Sequence, residues 1–279
     1  MVPIGEPDLP ERSPGEPDAL AQEVTEELAR IAAEVEVEEK GGSRGGPTRR
    51  MGTLARRLGH SLGRSLGRSG RRLGAGSRGG LRMLTERLLD AAPRIPVRDL
   101  ATLRSQHPGA RTPEDLADLL VAGSARASTA VGAGAGTVAM MPVPLAMPVE
   151  LASELLASAA IELKLIAELY AVYGQVPAGS ARQRSYAYLA VWSEGRGLDL
   201  TRPGALLALN RSAALRRQVS KRLTRSGLRR LPTLAPLLAG AVIGARVCRK
   251  DTLRLAAAVR EDLRGRQAAD PGYWGSPTA

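Results

Sequence analysis

The stretch Ala127–Gly174, ASTAVGAGAGTVAMMPVPLAMPVELASELLASAAIELKLIAELYAVYG, decides the fold. Its first 23 residues, Ala127–Val149, carry no charge and hold Gly132, Gly134, Gly136, Pro142, Pro144 and Pro148. Val149–Tyr173 then reads as a helix, and Gly174 stops it. A shorter version recurs downstream: Leu231–Ala245 is uncharged, contains Pro232, Pro236, Gly240 and Gly244, and leads into a charged helix that ends near Arg264. Two apolar runs punctuated by Pro and Gly, each feeding a helix, form the frame. Strict alternation of β-branched residues is absent, which points to an all-α chain.

The 23-residue run is long enough to cross a bilayer at about 20 residues. It is made mostly of Ala, Gly, Ser, Thr and Val, and three prolines crowd its end. Three readings stay open: a transmembrane span, a buried core helix followed by a turn, and a shallow hairpin in the membrane interface. In each, small residues let helix backbones approach closely. On the helix that follows, Glu150, Glu154, Lys164 and Glu168 fall on one side, and Leu155, Leu156, Ile166, Leu169 and Tyr173 on the other. Glu162 projects among the leucines; it is either a boundary glutamate that reaches water or a buried one that needs a partner, a hydrogen bond or a proton. Arg246, just after the second apolar run, is its candidate partner in a buried polar pair.

Charge is strongly segregated. Of 279 residues, the first 40 hold 12 acids and 3 bases, whereas 41–85 hold 11 arginines and no acid. The net charge of +12 therefore hides an acidic arm and a basic one. Residues 1–17 read as disordered. Residues 18–40 read as an acidic amphipathic helix, with Leu20, Val24, Leu28, Ile31 and Val35 on one face. It is either a solvated helix docked weakly on the rest or a dedicated partner-binding helix. Residues 41–80 read as a basic, Gly/Arg-rich low-complexity linker. Within it, Leu54, Leu58, Leu62 and Leu66 share a side, opposite Arg56, Arg57, Arg64 and Arg68. That pattern suits contact with anionic lipid, although Gly52, Gly59, Gly63 and Gly67 disfavour a free helix.

The folded region is expected over 81–265, with a loose tail at 266–279. Thr112-Pro113-Glu114-Asp115 is a helix start with Thr as N-cap, Pro at the first position and acids at the positive end of the dipole. Ala181–Trp192 reads as a helix closed by Gly195, and another is expected from Pro203 to about Arg225. Between Asp199 and Asp251 lie twelve basic groups and no acid. Arg211, Arg216, Arg217, Lys221, Arg222, Arg225, Arg229 and Arg230 come immediately before the apolar run at Leu231. A dense basic segment beside an apolar hairpin fits a membrane surface, a membrane-protein partner or, on a second reading, nucleic acid.

Chemistry is sparsely represented. Gly59-His60-Ser61-Leu62-Gly63 matches the nucleophile-elbow pattern, but no apolar strand precedes it and Gly63-Arg64-Ser65-Leu66-Gly67 repeats it within the same tract. Gly132-Ala133-Gly134-Ala135-Gly136-Thr137 lacks the third glycine of a dinucleotide fingerprint. With two histidines and Cys248 alone, no metal cluster, cofactor or disulfide is expected, and a reducing compartment fits. No basic n-region followed by an apolar core opens the chain, so no signal peptide is expected.

Three segments resemble the EcsC protein family: MPVPLAMPVELASELLASAAIELKLIAELYAVYG (Met141–Gly174), LPTLAPLLAGAVIGARVCRKDTLRLA (Leu231–Ala256) and HPGARTPEDLADLL (His107–Leu120). The similarity covers about 81–264. It implies an all-helical bacterial protein, cytoplasmic or at the inner face of the cell membrane, with a link to ABC-transporter systems in some members and no catalytic residues to carry over. Arg246-Val247-Cys248 departs from the more neutral residues of many relatives. The expectation is one helical domain with two Pro/Gly-rich apolar hairpins, preceded by a largely disordered, charge-segregated arm. Its expected role is non-enzymatic and membrane-peripheral. A soluble carrier of an apolar ligand and a nucleic-acid-binding protein are the alternatives.

Overall fold

The computed structural model describes residues 16–39, 78–138, 146–195, 197, 212–230 and 239–275, together with Thr53 and Arg57. Among these, every regular element is helical. In chain order they are α1 (Glu16–Glu39), α2 (Arg78–Ala91), a 3₁₀ turn (Ala92–Arg94), α3 (Leu100–Gln106), α4 (Pro113–Val138), α5 (Ala146–Val172), α6 (Ala181–Glu194), α7 (Ser212–Arg230) and α8 (Ala239–Arg264).

Helix α5 is the axis. From Ala152 to Tyr173 every residue is buried, including the four charged ones, Glu154, Glu162, Lys164 and Glu168. Its alanines at 152, 157, 159, 160 and 167 leave room for neighbours on several sides. The side carrying Glu154, Lys164 and Glu168 is no solvated face: their exposures are 2, 0 and 1%. Counter-charges from elsewhere in the chain make that burial tolerable. Lys164 Nζ lies 2.6 Å from Glu168 and 3.0 Å from Glu36 of α1, and donates to the Pro96 carbonyl at 2.9 Å. Arg98 grips Glu168 through Nε (2.9 Å) and a second guanidinium nitrogen (2.8 Å).

Helices α4 and α8 pair antiparallel along their length. Arg260 and Arg264 of α8 reach Glu114 at the start of α4. Thr252 donates to Ser128 at 2.8 Å midway, and Gly244 meets Gly132 toward the far end. A Cβ built on Gly132 would lie 2.3 Å from the Gly244 carbonyl oxygen, so the backbones themselves are in contact. The glycine-rich run thus continues α4 to Val138, and a new helix starts at Ala146. Residues 127–149 are therefore not one membrane-spanning helix. Among the described residues, no helix is long and apolar enough to cross a membrane.

Local signals set the helix ends. The Asp115 N–H donates to Thr112 Oγ1 at 3.1 Å, and the Thr112 N–H returns the bond to Asp115 at 2.9 Å, a reciprocal cap. Ser180 and Gln183 cap α6 in the same way, and Gly195 (φ +74°) ends it. Gly174 (φ +63°) ends α5 as its sequence predicts.

Two expectations are corrected. Helix α1 is no weakly docked arm: Val24, Leu28, Ile31, Ala32 and Val35 are fully buried against the bundle. The proposed disorder of 1–17 falls largely, and the low-complexity linker almost wholly, outside the described residues. The tail is not loose as far as Gly275. Ala269 N–H donates to the Gly174 carbonyl at 3.1 Å, and Trp274 Nε1 donates to the Arg111 carbonyl at 3.0 Å. The Arg104 guanidinium sits 5.1 Å from the Trp274 ring centre. The tail's aromatic rings give it area to bury against the end of the bundle, which its polar composition hides.

Candidate functional site

Helix α7 carries no acidic residue, and Leu215, Val219 and Leu223 turn one face into the core. Arg216, Arg217, Lys221 and Arg225 are left exposed on the outside. The run Arg217, Lys221, Arg225, Leu228 forms a stripe at helical spacing, and Leu228 ends it 62% exposed. Arg229 and Arg230 belong to the same helix, but their side chains lie outside the described set. Helix α8 has a second such stripe, Val242, Arg246, Lys250 and Arg254, beginning at Val242, which is 50% exposed. Sequence reasoning counted these bases without seeing that α8 presents them as a face.

Helix direction brings the apolar ends of the two stripes together. Helix α7 runs antiparallel to α5: Arg222 meets Glu162, and a Cβ on Gly227 would touch Leu155 at 3.5 Å. Helix α8 runs parallel to α5, with Cys248 against Glu154 and Thr252 against Glu162. Antiparallel α4 finishes where α8 starts. The C-termini of α4 and α7 and the N-termini of α5 and α8 therefore gather at one end of the bundle. The uncharged connections 139–145 and 231–238 are both attached there.

Arg222 does not join the exposed basic face, which corrects its assignment as a lipid or partner contact. Its guanidinium stacks 4.6 Å from the Trp192 ring centre and donates to Glu162 at 3.3 Å. Trp192 Nε1 donates to the same carboxylate at 2.7 Å, and Thr252 Oγ1, whose proton goes to Ser128, lies 3.4 Å from it. The buried polar pair is thus Glu162 with Arg222. Arg246 is exposed on α8. The sequence held a signal for this, because at 100° per residue Arg222 falls within about 20° of Leu215, beside the inward face.

A polar seam continues along α5. The Cys248 thiol, fully buried, donates to Glu154 at 3.0 Å, and Ser158 Oγ lies 3.7 Å from Cys248 Sγ. With Thr252 and Ser128 these groups fix the register of α4, α5 and α8. At the opposite end, Arg264, Tyr173 and Arg260 hydrogen-bond Glu114 and hold its carboxyl down at about 2. Burial pushes Tyr173 up, and its hydrogen bond to Glu114 adds to that.

Of the other expected contacts, Arg57 is exposed. Leu54, Arg56, Leu58, Leu62, Arg64, Leu66 and Arg68 lie outside the described residues, as do His60, Ser61 and Ser65 of the elbow-like repeats. Among the described residues, no group of three or more His, Cys, Asp or Glu could hold a metal ion. No protein-family model matches the chain, and no curated protein or solved structure matches it.

Proposed function

We propose that this chain is a non-enzymatic, EcsC-like protein that docks peripherally on an anionic membrane surface at the bacterial cytoplasmic face. One observation carries the reading: two basic helix stripes, on α7 and α8, each end in an exposed aliphatic residue where both uncharged Pro-containing connections attach. Arginine and lysine near an anionic surface contribute about 1 kcal/mol each, and apolar groups at the same end add burial in the interface. The basic stretch 41–80 supplies further positive charge on the same chain. A membrane-protein partner, such as the transporter that the EcsC resemblance implies, would use the same faces.

Co-sedimentation with phosphatidylcholine vesicles, with and without phosphatidylglycerol, tests the reading. The expected result is binding to the anionic vesicles, weakened by salt and by the double substitution Lys221→Glu/Arg225→Glu. Absence of binding to either vesicle, or equal binding by the charge-reversed protein, contradicts it. Salt-sensitive binding to duplex DNA but not to vesicles would favour the nucleic-acid reading instead.

A further inference from the structure

Helix α1 is attached unlike any other described helix. Residues 40–77, 38 in all, separate it from α2, whereas the next longest connection between described helices, 195–211, has 17. Helix α1 can therefore leave its seat without moving the ends of another described helix. That seat is a groove formed by α2, α4 and α5. Along its length the groove receives Val24, Leu28, Ile31, Ala32 and Val35, none of them exposed. At its end Lys164, itself fully buried, donates to Glu36 at 3.0 Å, and Arg98 Nε stands 3.8 Å from the same carboxylate. Glu36 stays 26% exposed, so this ion pair is reached from the edge. Glu36 and Glu168 balance Lys164 and Arg98; without Glu36, two cations face one of these carboxylates.

The groove is thus apolar along its length and cationic at one end, and two carboxylates of α1 are imperfectly satisfied in the docked state. Glu27 Oε2 and Glu34 Oε1 are buried without a hydrogen-bond partner. Such orphaned carboxylate oxygens weaken the docking of α1, so a helix with the same apolar face and without them would dock more tightly. We infer that the α1 seat is an exchangeable docking groove for an acidic amphipathic helix of a partner protein, which α1 occupies in the free chain. The groove reads apolar residues at i, i+4, i+7 and i+11 and a carboxylate at i+12, the pattern Val24, Leu28, Ile31, Val35, Glu36. The tether holds α1 at high effective concentration, so a competitor succeeds only by binding more tightly or after α1 is weakened.

The probe is a fluorescein-labelled peptide of residues 16–39, titrated into the full chain and followed by anisotropy. Wild-type chain should bind it weakly. A full chain carrying Leu28→Ala and Glu36→Ala should bind it at least tenfold more tightly, and a Glu36→Ala peptide should lose most of that gain. Binding by neither chain, or equal binding of a scrambled peptide of the same composition, overturns the inference. Hydrogen exchange on the unaltered chain decides the matter if the variant fails to fold. Exchange of α1 amides ahead of α4, α5 and α8 is the expected result, and exchange of α1 only with global unfolding overturns the proposal.

Discussion

Gly132 of α4 and Gly244 of α8 meet backbone to backbone: a Cβ on Gly244 would stand 2.4 Å from the Gly132 carbonyl oxygen, and the reverse distance is 2.3 Å. Both glycines come from the two uncharged runs that frame the sequence. In a helix interior each costs about 1 kcal/mol relative to alanine, and here close approach of the helices offsets that cost. Substitution should reverse the usual order. Gly132→Ala or Gly244→Ala is expected to destabilise the fold by about 2–3 kcal/mol through overpacking. Gly109→Ala, where a Cβ meets nothing within 4 Å, should stay within about 0.5 kcal/mol of wild type. Chemical denaturation curves separate the two cases.

The partner of Glu162 can be tested by coupling. Breaking a buried ion pair costs about 3–5 kcal/mol, less where the cation can reach water. Arg222 retains some exposure, so Glu162→Ala should cost about 2–3 kcal/mol and quench or shift Trp192 emission. A double-mutant cycle should give a coupling above about 1 kcal/mol for Glu162 with Arg222 and about zero for Glu162 with Arg246. A large coupling to Arg246 would overturn the assignment.

Acid should weaken the end clamp. Glu114 titrates at about 2 in the fold against 4.5 for an ordinary glutamate, because Arg264, Tyr173 and Arg260 bond its ionised form. A carboxylate depressed on folding contributes stability above its unfolded value, and that contribution is lost as pH falls from about 4.5 toward 2. The side chain is 42% exposed, so solvent screening leaves a contribution on the order of 1 kcal/mol. Thermal unfolding should therefore show a shallower acid limb for Glu114→Gln than for wild type between pH 5 and 2.5, with lower stability of the variant at pH 7.

The buried network at Lys164 makes the opposite kind of test. Glu168→Gln removes the carboxylate that Lys164 and Arg98 share in the interior. A loss of about 3 kcal/mol or more is expected, with α1 amides among those that exchange faster. Unchanged stability would show that the pairing of Glu168 with Lys164 and Arg98 does not hold the bundle together.

How far these features can be read from the sequence depends on how local they are. The Thr112–Asp115 cap and the stops at Gly174 and Gly195 involve residues within a few positions of one another, and each is legible. The apolar face of α1 was visible in the spacing of Val24, Leu28, Ile31 and Val35, but the abundance of glutamate pointed to solvent. The counter-charges that receive Glu36 are Lys164, 128 positions away, and Arg98. Trp274 finds the Arg111 carbonyl across 163 positions, which no local pattern encodes. Arg222 was grouped with its basic neighbours by composition, whereas its angular position already placed it inward. The α8 stripe is not legible while Arg246 is read as a core residue, because Arg246 is its second member.

The central claim is that the end where α4, α5, α7 and α8 converge enters the membrane interface. Cysteine introduced singly at Leu228, Val242 or Val176 and labelled with an environment-sensitive fluorophore tests it most directly, since native Cys248 is fully buried. Leu228 and Val242 mark the converging end, and Val176, 46% exposed, follows the opposite end of α5. With anionic vesicles, labels at 228 and 242 should shift blue and be quenched by spin-labelled lipid, while the label at 176 stays in water. Equal quenching at all three positions, or none at 228 and 242, would contradict the account.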